Sequence, residues 1–133
     1  MTLIRRICIG YFVALLGAAS LNYTPGLTDD QGRSFGIFAL DIYDDALHLG
    51  SALWALAAAL LSHRAARIFL LTFGAIYLGD GALGLTTGSG YLDLGIFTTG
   101  WLPQPVLFRI MANLPHIALG GFALFAGLRW GRG

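Results

Sequence analysis

Lysine and glutamate are absent from this chain: all 8 basic residues are arginine and all 7 acidic residues are aspartate. We read that bias as a mark of GC-rich coding rather than of chemistry. Charge of either sign is scarce, at 11% of residues, the net charge is +1, and no basic run exists. A nucleic-acid partner is therefore not expected, since such partners need a basic patch or stripe. The single cysteine, Cys8, excludes an internal disulfide and any cysteine-based metal cage, and reads as a small hydrophobe. No Ser-His-Asp spacing, phosphate-binding loop or thiol nucleophile is present, so hydrolytic and kinase chemistry are not expected, nor is an enzyme. What remains is apolar: 56% of residues are hydrophobic and the mean hydropathy is +0.72. A water-soluble fold of 133 residues could not bury that much apolar surface, so its solvent must be lipid.

Four apolar segments reach membrane length, roughly 3–21, 42–61, 68–85 and 108–128. Each approaches the ~20 residues that cross a ~30 Å hydrocarbon core. The expected fold is all-α, one four-helix transmembrane domain over residues 1–133. The first segment has the outline of a secretory leader, with Arg5 and Arg6 ahead of an apolar run and small residues from Gly17 to Ser20. We take it as a retained first transmembrane helix.

Arginine sets the expected orientation. Arg5, Arg6, Arg64, Arg67, Arg129 and Arg132 fall on one side, and only Arg33 and Arg109 on the other. The positive-inside rule places both termini in the cytoplasm. Asp29, Asp30, Asp41, Asp44, Asp45 and Asp93 lie on the outer side, with Tyr23, Tyr43, Tyr91 and Trp101 as an aromatic belt and Trp130 at the inner face. The inner connection, from Ser62 to Arg67, is short; the outer ones, roughly 22–41 and 86–107, each carry Gly-Ile-Phe, a candidate cap over the bundle.

The second segment opens with acid. Asp41, Asp44, Asp45 and His48 fall within two turns, and Asp44 and His48 share a face as i and i+4. Ser51, Ala55 and Ala59 continue that face as a ridge of small side chains, which lets another helix approach closely. The fourth segment echoes it: Asn113-Leu-Pro-His116 matches Asp45-Ala-Leu-His48, and Gly120, Ala123 and Gly127 form the corresponding ridge. Two repeated helical hairpins in parallel orientation are expected, with His48 and His116 as partners. With Asp80 from the third segment and Arg109 and Asn113 from the fourth, Asp44, Asp45, His48 and His116 would form one polar layer in the outer half. Pro115 removes one helical hydrogen bond within it and would loosen or kink the helix.

Tyr-Thr-Pro-Gly-Leu-Thr at 23–28, Gly-Ile-Phe ahead of Asp45-Ala-Leu-His48, and Asn113-x-x-His116-x-x-x-Gly120 together resemble a bacterial four-helix membrane family, the domain of unknown function 4383 family. The resemblance covers nearly the whole chain. It implies a turn after the first helix and retained positions at His48, Asn113 and His116. Asp44 and Asp45 stand where that family usually has His and Asn, and Ala112 where it usually has Asp. The family implies a fold and a location in a bacterial inner membrane, and no established activity.

Two classes of function follow. In the first, the polar layer is structural. Asp45–His48 and Asn113–His116 contacts and an Asp80–Arg109 ion pair lock the helices, each interhelical bond being worth only ~0.6–2 kcal/mol. The protein is then a non-catalytic accessory subunit that contacts the lipid bilayer and other membrane subunits. Gly10, Ala14 and Ala18 on the first helix, or Gly74, Tyr77, Gly81 and Gly84 on the third, would offer docking ridges. This is the preferred reading, and no cofactor is assigned with it. In the second, a stand-alone bundle binds a metal ion, haem or proton through the layer, the candidate metal ligands being His48, His116 and Asp80.

Overall fold

The computed structural model describes residues 1–38 and 42–133. Asp41, the first of the acidic cluster, lies outside the described residues. The described residues form five α-helices and no strands: α1 (Leu3–Ser20), α2 (Ile42–Leu61), α3 (His63–Thr87), the one-turn α4 (Gly95–Thr98) and α5 (Val106–Arg129). A 3₁₀ turn over Leu21–Tyr23 extends α1. The four expected segments are present as helices, and a fifth, short helix is added where the second Gly-Ile-Phe was expected to cap the bundle.

The largest departure in boundaries is at α3. The Ser62–Arg67 stretch, expected as a connection, is helical from His63 onward, so Ser62 alone joins α2 to α3. Ser62 caps the new helix, its Oγ accepting from Ala65 N at 3.0 Å. Histidine, alanine and arginine then propagate it, because the polar stretch marks the edge of apolar composition and not the end of helical propensity. Gly88 closes α3 at φ +82°, its N–H donating to Gly84 O at 2.8 Å, a left-handed cap that favours glycine. Pro115 lies inside an α5 that runs unbroken from Val106 to Arg129.

By length and apolar composition, three helices can cross a membrane: α1 with its 3₁₀ extension, α3 and α5. Three of the four expected spans thus meet that description among the described residues. At 20 residues α2 is long enough, but Asp44, Asp45 and His48 sit in its first two turns and dilute its apolar character.

The helices associate as two close pairs, α1 with α2 and α3 with α5, joined mainly through α3. The core is asymmetric in side-chain size. On α3, Phe69, Phe73 and Tyr77 form a stacked spine with ring centroids 5.1 and 3.9 Å apart. Tyr11 of α1 meets Phe73 edge-on at 5.2 Å. On α2 and α5 the buried positions are mostly alanine and glycine, including Ala55, Ala59, Gly120, Ala123 and Gly127. Large residues on the central helix interdigitate with small ones around it.

The α3–α5 contact is backbone to backbone. A Cβ on Gly74 would lie 2.5 Å from Leu124 N and 2.9 Å from Gly120 O. One on Gly81 would lie 2.6 Å from the Ile117 side chain. The ridges on the third and fourth membrane-length helices thus consume one another, as small-residue ridges do where lipid supplies no hydrophobic drive between helices. Ser51, Ala55 and Ala59 are also buried. The ridge on α1 behaves differently: Gly10 and Ala14 are exposed, and nothing lies within 4 Å of a Cβ placed on Gly10.

At the arginine-rich end, Arg5 donates to Ala59 O and Leu60 O at 2.6 and 2.9 Å, satisfying carbonyls that the end of α2 leaves open. His63 bonds Thr2 Oγ1 at 3.1 Å and Gly131 O at 3.2 Å, tying the start of α1 to the residues after α5.

Candidate functional site

The polar groups at the opposite end are organised by Asp80, two turns from the end of α3. Its Oδ1 accepts from the backbone N–H groups of Tyr91 and Leu92 at 2.7 and 2.8 Å, and its Oδ2 lies 2.5 Å from His116 Nδ1 on α5. One carboxylate therefore holds the loop after α3 and a side chain from the facing helix. Gly90 makes this possible, since a Cβ there would sit 2.8 Å from the Asp80 carboxyl carbon. The Asp80 side chain is 5% exposed and that of His116 is 22% exposed. Among the described residues this is the only acid–base side-chain pair within ion-pair distance.

His116 connects the pair to the rest of the layer. Its ring meets Tyr77 edge-on at 5.1 Å and His48 of α2 at 6.3 Å. Tyr77 and Ser51 share a hydrogen bond of 3.1 Å, so α2, α3 and α5 are linked through polar side chains. His48 and His116 thus face one another across the bundle. The nitrogen Nδ1 of His48 is buried without a hydrogen-bond partner.

The pairings expected from sequence are exchanged for others. Asp45 turns from His48 toward the end of α1 and accepts from Tyr23 Oη at 3.1 Å and Asn22 Nδ2 at 3.4 Å. Helical side chains lean toward the N-terminus, so an acid in the first turn reaches back to the preceding loop. Asn113 donates to Arg109 O at 2.9 Å and not to His116. Arg109 donates to Thr86 O at 3.0 Å, near the end of α3, and makes no ion pair with Asp80. His116 lies about two turns deeper than Arg109 on α5, opposite Asp80, and so takes the carboxylate instead.

A cavity of about 260 Å³ opens over this layer. Asp44, Asp80, Asn113 and His116 line it, whereas Asp45, His48 and Arg109 do not. Its wall also holds Ser89, Asp93 and Gln104, which sequence reasoning missed. The signal available was Asp80 itself, a lone acid in an apolar helix, followed by the flexible Gly88-Ser-Gly90. Tyr91 lies in that loop, outside the helices, and its phenol is held above the ordinary value by burial first and by the Asp80 charge second.

Among the described residues no three His, Cys, Asp or Glu side chains converge as a metal site. The candidate ligands His48, His116 and Asp80 do not form one: Asp80 and His116 are bonded to each other and the His48 ring stands 6.3 Å off. Of five buried side-chain atoms without a partner among the described residues, four lie at this end: Asp45 Oδ1, His48 Nδ1, Ser89 Oγ and Arg109 Nε. An unpaired buried polar atom costs about 1–3 kcal/mol. The end of the bundle that carries the cavity is the end where hydrogen bonding is least complete.

No curated protein and no solved structure matches the chain. The family described as a domain of unknown function (DUF4383) matches residues 7–103, and the chain belongs to that family.

Proposed function

We propose that this member of the DUF4383 family is a single-domain, four-pass protein of the bacterial inner membrane that serves as a non-catalytic accessory subunit of a larger membrane complex. In this reading α2 completes the bundle as a fourth span, its acid-bearing turns reaching the outer interface. The arginine-rich end, with both termini, faces the cytoplasm. The arrangement of α1/α2 and α3/α5 as two close pairs supports the two-hairpin organisation.

The observation that carries the proposal is the uncovered small-residue face of α1. Gly10 and Ala14 flank an apolar groove of about 330 Å³ between α1 and α5, floored by Tyr11, Ala118 and Leu119. On α3 and α5 the same kind of ridge is consumed by a neighbouring helix, so the occupant that fits this face is a transmembrane helix of another subunit. The test is purification of the tagged protein in a mild detergent, followed by native mass spectrometry. A stoichiometric membrane subunit that is lost in a Gly10→Leu/Ala14→Leu variant is expected. A lone chain or small homo-oligomer carrying zinc or haem would overturn the proposal.

A second reading, ligand binding in the outer His/Asp layer, is favoured by the cavity and by the unpartnered hydroxyl of Ser89, one of its lining residues.

A further inference from the structure

The cavity over Asp80 has two unlike halves. Three carboxylates reach it from three places: Asp44 from α2, Asp80 from α3 and Asp93 from the following loop. Asp44 is 8% exposed, Asp93 stands at the mouth, and Asp80 is engaged by His116. The other half is apolar, with Phe38 and Phe108 among its residues. In the same wall Ser89, 5% exposed, carries a hydroxyl oxygen with no hydrogen-bond partner. A buried hydroxyl without a partner asks for an explanation, such as a bound group beside it.

We propose that this cavity binds a small organic ammonium group, presented by a free amine or by the headgroup of a zwitterionic lipid. This deepens the second reading by naming its ligand class, and it concerns a site separate from the α1 face. The wall holds three aspartates against one base, His116, and so favours a cation over an anion. A dehydrated metal ion is disfavoured because the described residues hold no converging set of three ligands. A hydrated ion has no use for the apolar half, whereas the methyl or methylene groups around an ammonium nitrogen do. The cavity also lies at the end of the helices where headgroups would sit if they span a bilayer.

The test uses the purified full chain in detergent, titrated calorimetrically with choline and with 3,3-dimethylbutan-1-ol, its uncharged isostere. In parallel, the protein in nanodiscs of mixed phosphatidylethanolamine and phosphatidylglycerol is analysed by native mass spectrometry for retained lipid. Saturable choline binding with the isostere at least about tenfold weaker identifies a free amine as the source. Retention of phosphatidylethanolamine over phosphatidylglycerol, without choline binding, identifies the headgroup. In either case Asp44→Asn should weaken binding by about tenfold or more. Asp93→Asn, at an exposed position where the amide oxygen can keep the hydrogen bond from Gly95 N, should weaken it in the same direction. Equal binding of the isostere, no selectivity in either arm, or stoichiometric Mg²⁺ or Zn²⁺ uptake in place of the amine would each overturn the proposal. Failure here leaves subunit capture through α1 untouched, and the converse holds, so the two proposals fall separately.

Discussion

Removing the Asp80 carboxylate is the sharpest perturbation of this fold, because one side chain holds both the loop after α3 and His116 of α5. In Asp80→Ala the N–H groups of Tyr91 and Leu92 lose their acceptor and His116 loses its partner. Each stranded buried donor costs about 1–3 kcal/mol, and breaking a buried acid–base pair costs about 3–5 kcal/mol on its own. Tyr91 and Leu92 are only part-buried, so water recovers some of the loss. A net cost of about 3–5 kcal/mol follows, or roughly 10–15 °C in melting temperature for a chain of this size. Asp80→Asn is the control. Its carbonyl oxygen can still accept from both N–H groups and its amide can donate to a His116 Nδ1 in the other tautomer, so a loss of about 1–2 kcal/mol is expected. The assay is thermal unfolding in detergent, followed by fluorescence-detected size exclusion. An Asp80→Ala protein melting within about 3 °C of the parent, or melting together with Asp80→Asn, would refute the role assigned to this carboxylate.

Other outcomes follow from the same contacts. Gly74→Ala should cost about 1–3 kcal/mol or more, because its Cβ would lie 2.5 Å from Leu124 N, whereas Gly10→Ala should be neutral within about 0.5 kcal/mol; parallel melts decide this. The Tyr91 phenol titrates above its ordinary value, so the stability it lends is complete below about pH 10 and is lost as pH rises through the folded value. Absorption titrations of the parent and of Tyr91→Phe should differ by one late-ionising tyrosine. Replacing His63 by Ala should raise hydrogen exchange at Thr2–Arg6 and around Gly131 together, since one imidazole bonds both ends. Exchange that rises at one end only would argue against that tie.

The helices were legible in the sequence to the extent that apolar composition and helical propensity coincide. They coincide for α2, whose bounds agree with expectation, and part company at Ser62–Arg67, where polar residues continue a helix past the apolar boundary. Membership of one polar layer was legible for Asp44, Asp80, Asn113 and His116 because spacing on a helix fixes which face a residue occupies. Pairing was not legible. Asp80 had Arg109 and His116 available on the same face of α5, and the choice rests on how far each helix slides along the other.

The sequence by itself determined the solvent and the material of this protein: a chain so apolar and so poor in charge must form lipid-compatible helices, and its family follows from local motifs. Only the tertiary structure decided which ridges are consumed and which stand open, and that α3 is the central helix. It also decided that Ser89 and Asp93 join a cavity with residues far away in the chain. Periodicity records the angle of a side chain about its own axis. The slide and separation of helices depend on the shapes of two surfaces together, set here by glycines whose absent Cβ atoms bring α3 and α5 into backbone contact.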